Sequence, residues 1–74
     1  MTTTREMTTA QASYYFAAGY RFFIGSYYGE SKAEDFEEVF DALTVEQHEE
    51  WLYVESVTVD ESTHSVHIFI GNDE

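Results

Sequence analysis

The chain of 74 residues has no cysteine and no proline. Without cysteine there is no disulfide framework and no thiolate metal site, so the usual staples of a small extracellular domain are missing. Basic residues are almost as scarce. Arg5, Arg21 and Lys32 stand against fifteen Asp and Glu, for a formal charge of −12. That balance repels nucleic acid and anionic membranes and argues against direct DNA or RNA binding. Long apolar runs are also lacking: residues 13–28 are interrupted by Gly19, Arg21 and Gly25 and are too short to span a bilayer. The polar start, "MTTTREMTTAQA", lacks the apolar stretch of a signal peptide, so a cytoplasmic location is expected. Met1-Thr2-Thr3 is echoed by Met7-Thr8-Thr9, which makes either methionine a possible start. Residues 1–7 are expected as a flexible tail on one domain of residues 8–74.

What the chain does have is aromatic mass, 18% of its residues. A domain of this size buries only about 60% of its unfolded surface, and large rings compensate by removing much apolar area from water. Residues 8–28 open with Thr8 and Gln11 at capping-box spacing. Phe16, Tyr20, Phe23 and Tyr27 then recur as a helical stripe, with Gly29 where a C-terminal glycine belongs. This predicts one long aromatic helix. "YRFFIGSYY" reads equally well as a strand, which leaves a β-hairpin open as the alternative, with element order ββααββ.

Further along, Ser31 and Glu34 repeat the capping-box spacing, and Ala33, Phe36, Val39, Phe40 and Leu43 share one helical face. Thr44 and Gln47 mark a third helix, with Val45, His48, Trp51 and Leu52 inward. The period then changes to two. "VESVTVD" and "SVHIFIG" read as an antiparallel hairpin around "DESTH", with Val57, Val59, Val66, Ile68 and Ile70 toward the core and Thr58, His67 and Phe69 away from it. The expected class is α+β: an aromatic N-terminal helix, two short acidic helices and a C-terminal hairpin.

Charge is spread unevenly. Residues 30–61 hold twelve of the fifteen acids and residues 7–29 hold none. On the second helix Glu34, Glu37, Glu38 and Asp41 fall within an arc of about 100°, with Asp35 at its edge. The like-charge pairs Glu34–Glu38 and Glu37–Asp41 each cost ~0.2–0.5 kcal/mol, where a Glu–Lys pair would stabilise. Glu46, Glu49 and Glu50 form a similar face on the third helix. Solubility alone mixes both signs, so three readings stay open. The acids can serve only solubility, on a small adaptor that dimerises through its aromatics. They can reflect adaptation to high salt. Or they can imitate the charge track of a nucleic-acid backbone and compete for a basic groove.

Other chemistry finds little support. His64 and His67, three apart in a turn and strand, project to opposite faces, and His48 is expected on an inner face, so no zinc site is expected. "DESTHS" lacks the spacing of a calcium loop, no cofactor motif is present, and no nucleophile arrangement exists, so the chain is expected not to be an enzyme. Phe16, Phe22, Phe23 and Ile24 read as core. Tyr14, Tyr15, Tyr27 and Tyr28 exceed what a small core absorbs and are candidates for an apolar interface, including a homodimer. Arg21 is expected to pair with an acid of the second helix.

In size, charge and lack of motifs the whole chain resembles the small acidic virus-encoded anti-CRISPR proteins and anti-restriction DNA mimics. The residues carrying that resemblance are Glu34, Asp35, Glu37, Glu38, Asp41, Glu46, Glu49 and Glu50. It implies an inhibitor that sets its acids on the DNA-binding surface of a CRISPR surveillance complex, or another basic nucleic-acid-binding partner, in the host cytoplasm. The aromatic front half departs from a pure mimic and implies a second, apolar contact.

Overall fold

The computed structural model describes residues 1–72. In chain order it has β1 (Thr2–Thr4), α1 (Thr9–Ala17), β2 (Arg21–Ser26), β3 (Gly29–Lys32), α2 (Phe36–Leu43), α3 (Val45–His48), β4 (Leu52–Asp60) and β5 (Ser65–Asn72). The class is α+β, with three helices and one five-stranded mixed sheet.

Thr8 and Gln11 close the capping box their spacing predicts. Gln11 N donates to Thr8 Oγ1 (3.1 Å) and Thr8 N to Gln11 Oε1 (2.9 Å). The helix does not run on to residue 28, however. Gly19, at φ +91°, takes the left-handed turn that ends α1 at Ala17. Beyond it the period is two: Phe22 is buried on the inner face of the sheet while Phe23 stacks on His67 outside. Aromatic and branched residues fit a pleated surface better than a helix, and here that preference outweighs the helical stripe. A hairpin does form, but after α1 and not over the whole segment, so the order ββααββ does not hold either: β2 and β3 pair antiparallel around Tyr27 and Tyr28. Gly29, at φ +140°, closes their turn in a conformation that side chains disfavour. Thr2–Thr4, within the expected tail, lie along β4, with Thr3 opposite Thr58 and their hydroxyls 3.0 Å apart.

The strand order is β1-β4-β5-β2-β3, and β2 and β5 are the one parallel pair among the described residues. The C-terminal hairpin forms as expected, with Val57, Val59, Val66, Ile68 and Ile70 all buried. A bulge at Glu55 shifts its register. α1 and α2 lie on the inner face, where Ala12 and Val39 are fully enclosed. Phe16 joins the layers, its ring 5.9 Å from Phe22 and 5.5 Å from Phe36. Each fully buried large apolar side chain of this set contributes about 1.5–3 kcal/mol.

Two helix starts differ from the spacing argument. Ser31 lies in β3, and the cap of α2 is Asp35, which accepts from Glu38 N (3.1 Å). Glu38 in turn accepts from Glu34 N (2.6 Å). Asp35 wins because the chain is still paired to β2 at Ser31 and is free to turn only after Ala33, whose N donates to Phe22 O. Thr44 does not cap α3 with its side chain but donates its hydroxyl to Phe40 O (2.8 Å). That helix is a single turn, so the inner face expected for it is cut short. His48 and Trp51 are exposed, and Leu52 already belongs to β4. Phe40 is 44% exposed because Val39 and Ala42 carry the contact of α2 with the sheet.

Candidate interaction surface

All eight acids singled out from the sequence are exposed, but they do not form two adjoining studded helices. Glu34 and Asp35 precede α2, and Glu49 and Glu50 follow α3. Only Glu37, Glu38 and Asp41 lie on α2, and only Glu46 on α3. Asp35 and Glu38 have a structural job as caps, and Glu49 accepts from Trp51 Nε1 (3.1 Å). Glu37 and Asp41 stay one turn apart on α2, as the helical spacing predicts.

Neutralising cations are scarce around them. Among the described residues no Lys or Arg lies within ion-pair distance of an acid, and the hydrogen bond between His67 Nδ1 and Glu30 Oε2, at 3.1 Å, lies on the open face of the sheet. Arg21 does not reach the second helix. Its Nη2 donates to Thr63 O (2.9 Å) and its backbone N to His64 O (2.9 Å), which ties β2 to the β4–β5 turn. In that turn His64 sits at φ +53°, and Asp60 Oδ1 accepts from both Ser62 N and Ser62 Oγ. The Ser62 hydroxyl, at 2.6 Å, is the main reason the Asp60 carboxyl is held below its ordinary value of 3.8. Among the described residues no three His, Asp or Glu side chains are grouped as metal ligands would be.

The candidate tyrosines separate. Tyr14, Tyr27 and Tyr28 are exposed, whereas Tyr15 is half-buried, packed on Tyr20 and the core. Tyr14 meets Tyr15 edge-on (5.6 Å), and Tyr27 meets Phe69 edge-on (5.4 Å) on the outer face of the sheet. No ring contact joins the α1 pair to the turn pair among the described residues.

Sequence reasoning missed the groove beside β3. It encloses about 1020 Å³ between that strand and the α2–α3 junction. Ile24, Ile70 and Leu52 contribute apolar surface, and Glu38, Asp41 and Trp51 stand along it. Trp51 is 52% exposed and Tyr28, also lining it, 89%. The groove needs β2 beside β5, a parallel pairing across some forty residues that no local pattern announces. Glu46 lines a different hollow of about 520 Å³, with Arg5, Met7 and Tyr53. Of the eight acids, Glu38 and Asp41 therefore line one hollow and Glu46 the other.

Comparison with protein-family models, curated proteins and solved structures finds no match. What this surface can do therefore follows from its own chemistry. Glu38 and Asp41 set exposed carboxylates along an apolar groove. No helix among the described residues is long and apolar enough to cross a membrane.

Proposed function

We propose that the protein is a stoichiometric inhibitor that sets its carboxylates on the positively charged DNA-binding site of a host defence complex, in the manner of anti-CRISPR proteins, and so blocks target DNA. The observation that supports this reading is the uncompensated charge. Glu34, Glu37, Asp41, Glu46 and Glu50 are exposed, and none is within ion-pair distance of a cation among the described residues. Retaining such repulsion costs stability without serving the core, and a cationic partner would relieve it. The groove along Glu38, Asp41 and Trp51 adds an apolar foothold, which lets the contact persist once charge has steered the two bodies together.

The test is a titration of the protein into purified CRISPR surveillance complexes holding labelled target DNA, repeated over a salt series. The expected result is competition with DNA that weakens as salt rises. The combined variant Glu37→Gln, Asp41→Asn, Glu46→Gln, Glu50→Gln should inhibit at least about tenfold less, since rim charges govern association. Inhibition that ignores both salt and these substitutions, or no competition at all, overturns the reading.

A further inference from the structure

The chain has a single lysine, and it lies on the free edge of the sheet. β3 is the outermost strand, all four of its residues are exposed, and its sequence alternates signs: Gly29-Glu30-Ser31-Lys32. Ala33 N donates to Phe22 O (2.8 Å), and the same register sets Ser31 opposite Ile24 and Gly29 opposite Ser26. These odd-numbered positions direct their backbone groups at β2. By alternation, the N–H and C=O of Glu30 and Lys32 point to the open edge, with no strand of the described residues beside them.

We infer that this edge pairs antiparallel with the same edge of a second copy, about a two-fold axis through Ser31. In that register Glu30 lies opposite Lys32 of the second copy, and Lys32 opposite its Glu30. Both are positions whose backbone groups face outward, so each pair exchanges two main-chain hydrogen bonds. Glu30 and Lys32 also share the outer face of the sheet, since their β2 partners Gly25 and Phe23 alternate with the inward-facing Ile24. Glu30 lies over Gly25 with its carboxylate on His67 in a single copy, and its turning to the edge lets the two-fold bring opposite charges together twice, in a self-complementary interface. Ser31, small and uncharged, meets itself at the axis.

Edge charges commonly prevent such pairing, but they do so when like charges meet. Here −12 of net charge sits elsewhere on the chain, and the lone lysine occupies the position that turns repulsion into attraction. The exposed Tyr27–Tyr28 turn follows β2 into the same interface, where the second copy's groove opens beside its own β3. Paired this way, two five-stranded sheets form one continuous sheet. The inference goes beyond the inhibitory reading and stands without it.

Sedimentation velocity and a cysteine cross-link test it. The wild type should sediment as a dimer, Lys32→Glu as a monomer, and the swap Glu30→Lys with Lys32→Glu as a dimer again. Ser31→Cys, in a chain otherwise free of cysteine, should oxidise in air to a disulfide-linked dimer, because directly opposed cysteines on adjacent strands fall within bonding distance. His67→Ala should leave the dimer intact, since His67 contacts Glu30 only within one copy. A wild type that stays monomeric at its highest soluble concentration overturns the inference. So does a dimer unmoved by Lys32→Glu, a swap that fails to restore it, or Ser31→Cys chains that do not cross-link.

Discussion

Tyr53 lies across Gly71, its partner on the neighbouring strand, so closely that a Cβ on Gly71 would come within 2.7 Å of Tyr53 Cζ. The ring covers the backbone of β5 where a side chain would otherwise stand, next to the bulge at Glu55. Gly71→Ala is expected to destabilise the fold by ~1–3 kcal/mol, less if the ring swings aside. Urea unfolding should also show strong coupling: in a Tyr53→Ala background the alanine at 71 should cost little.

The start of α2 separates two capping schemes. Asp35→Ala is expected to cost about 1 kcal/mol, because Glu38 N loses its acceptor. Ser31→Ala, although Ser31 has the capping-box spacing to Glu34, should stay within about 0.5 kcal/mol of wild type. Thermal melts of the two variants check this directly, and equal losses would contradict the assigned helix start.

Neutralising the exposed acids should stabilise the protein while weakening its proposed contact. Asp41→Asn removes the like-charge pair with Glu37 and an acid from the last turn of α2, and is expected to raise stability by ~0.2–0.5 kcal/mol or more at low salt. The gain should fade with added salt, as screening replaces the substitution. Denaturant midpoints at two ionic strengths provide the measurement. A destabilised Asp41→Asn would show that Asp41 makes a structural contact of its own.

Asp60 sets a pH dependence. The Ser62 hydroxyl, first among its hydrogen bonds, lowers its carboxyl in the folded state below the ordinary 3.8. A depressed acid stabilises the fold above its unfolded value, and that contribution disappears as pH falls through the lower folded value. The loss therefore lies on the acid side of pH 3.8 and is small, because the partly exposed carboxyl is screened by solvent. Carboxyl-carbon NMR titration should find Asp60 below 3.8 in the wild type and closer to it in Ser62→Ala.

How far the sequence disclosed this structure depended on the range of the interaction. The Thr8 capping box and the β4–β5 hairpin rest on contacts within a few residues, and both appear as their spacing indicates. The long aromatic helix does not form, because Phe16, Tyr20, Phe23 and Tyr27 satisfy a helical period by coincidence. Phe22 and Ile24 are placed instead by strand partners Val66 and Ile68. His48 and Trp51 were expected inside because a third helix of several turns was assumed, and one turn cannot carry them inward. The individual acids could be named, but not that Glu38 and Asp41 line one hollow and Glu46 another, since that placement depends on long-range pairing. Arg21 was assigned to the nearest run of acids, whereas the nearest acceptor in space is a turn carbonyl forty-two positions away.

The parallel pairing of β2 with β5 has a consequence for the order of assembly. Those two strands form the centre of the sheet, and they join β1 and β4 on one side to β3 on the other. Until Ser65–Asn72 has left the ribosome, the sheet can exist only as two separate two-stranded ribbons, and such ribbons are marginal in water. Neither can retain the helices on a shared core. Folding of this sheet is therefore a single event that waits for β5, and a nascent chain that stalls before Ser65 has no stable intermediate in which to wait.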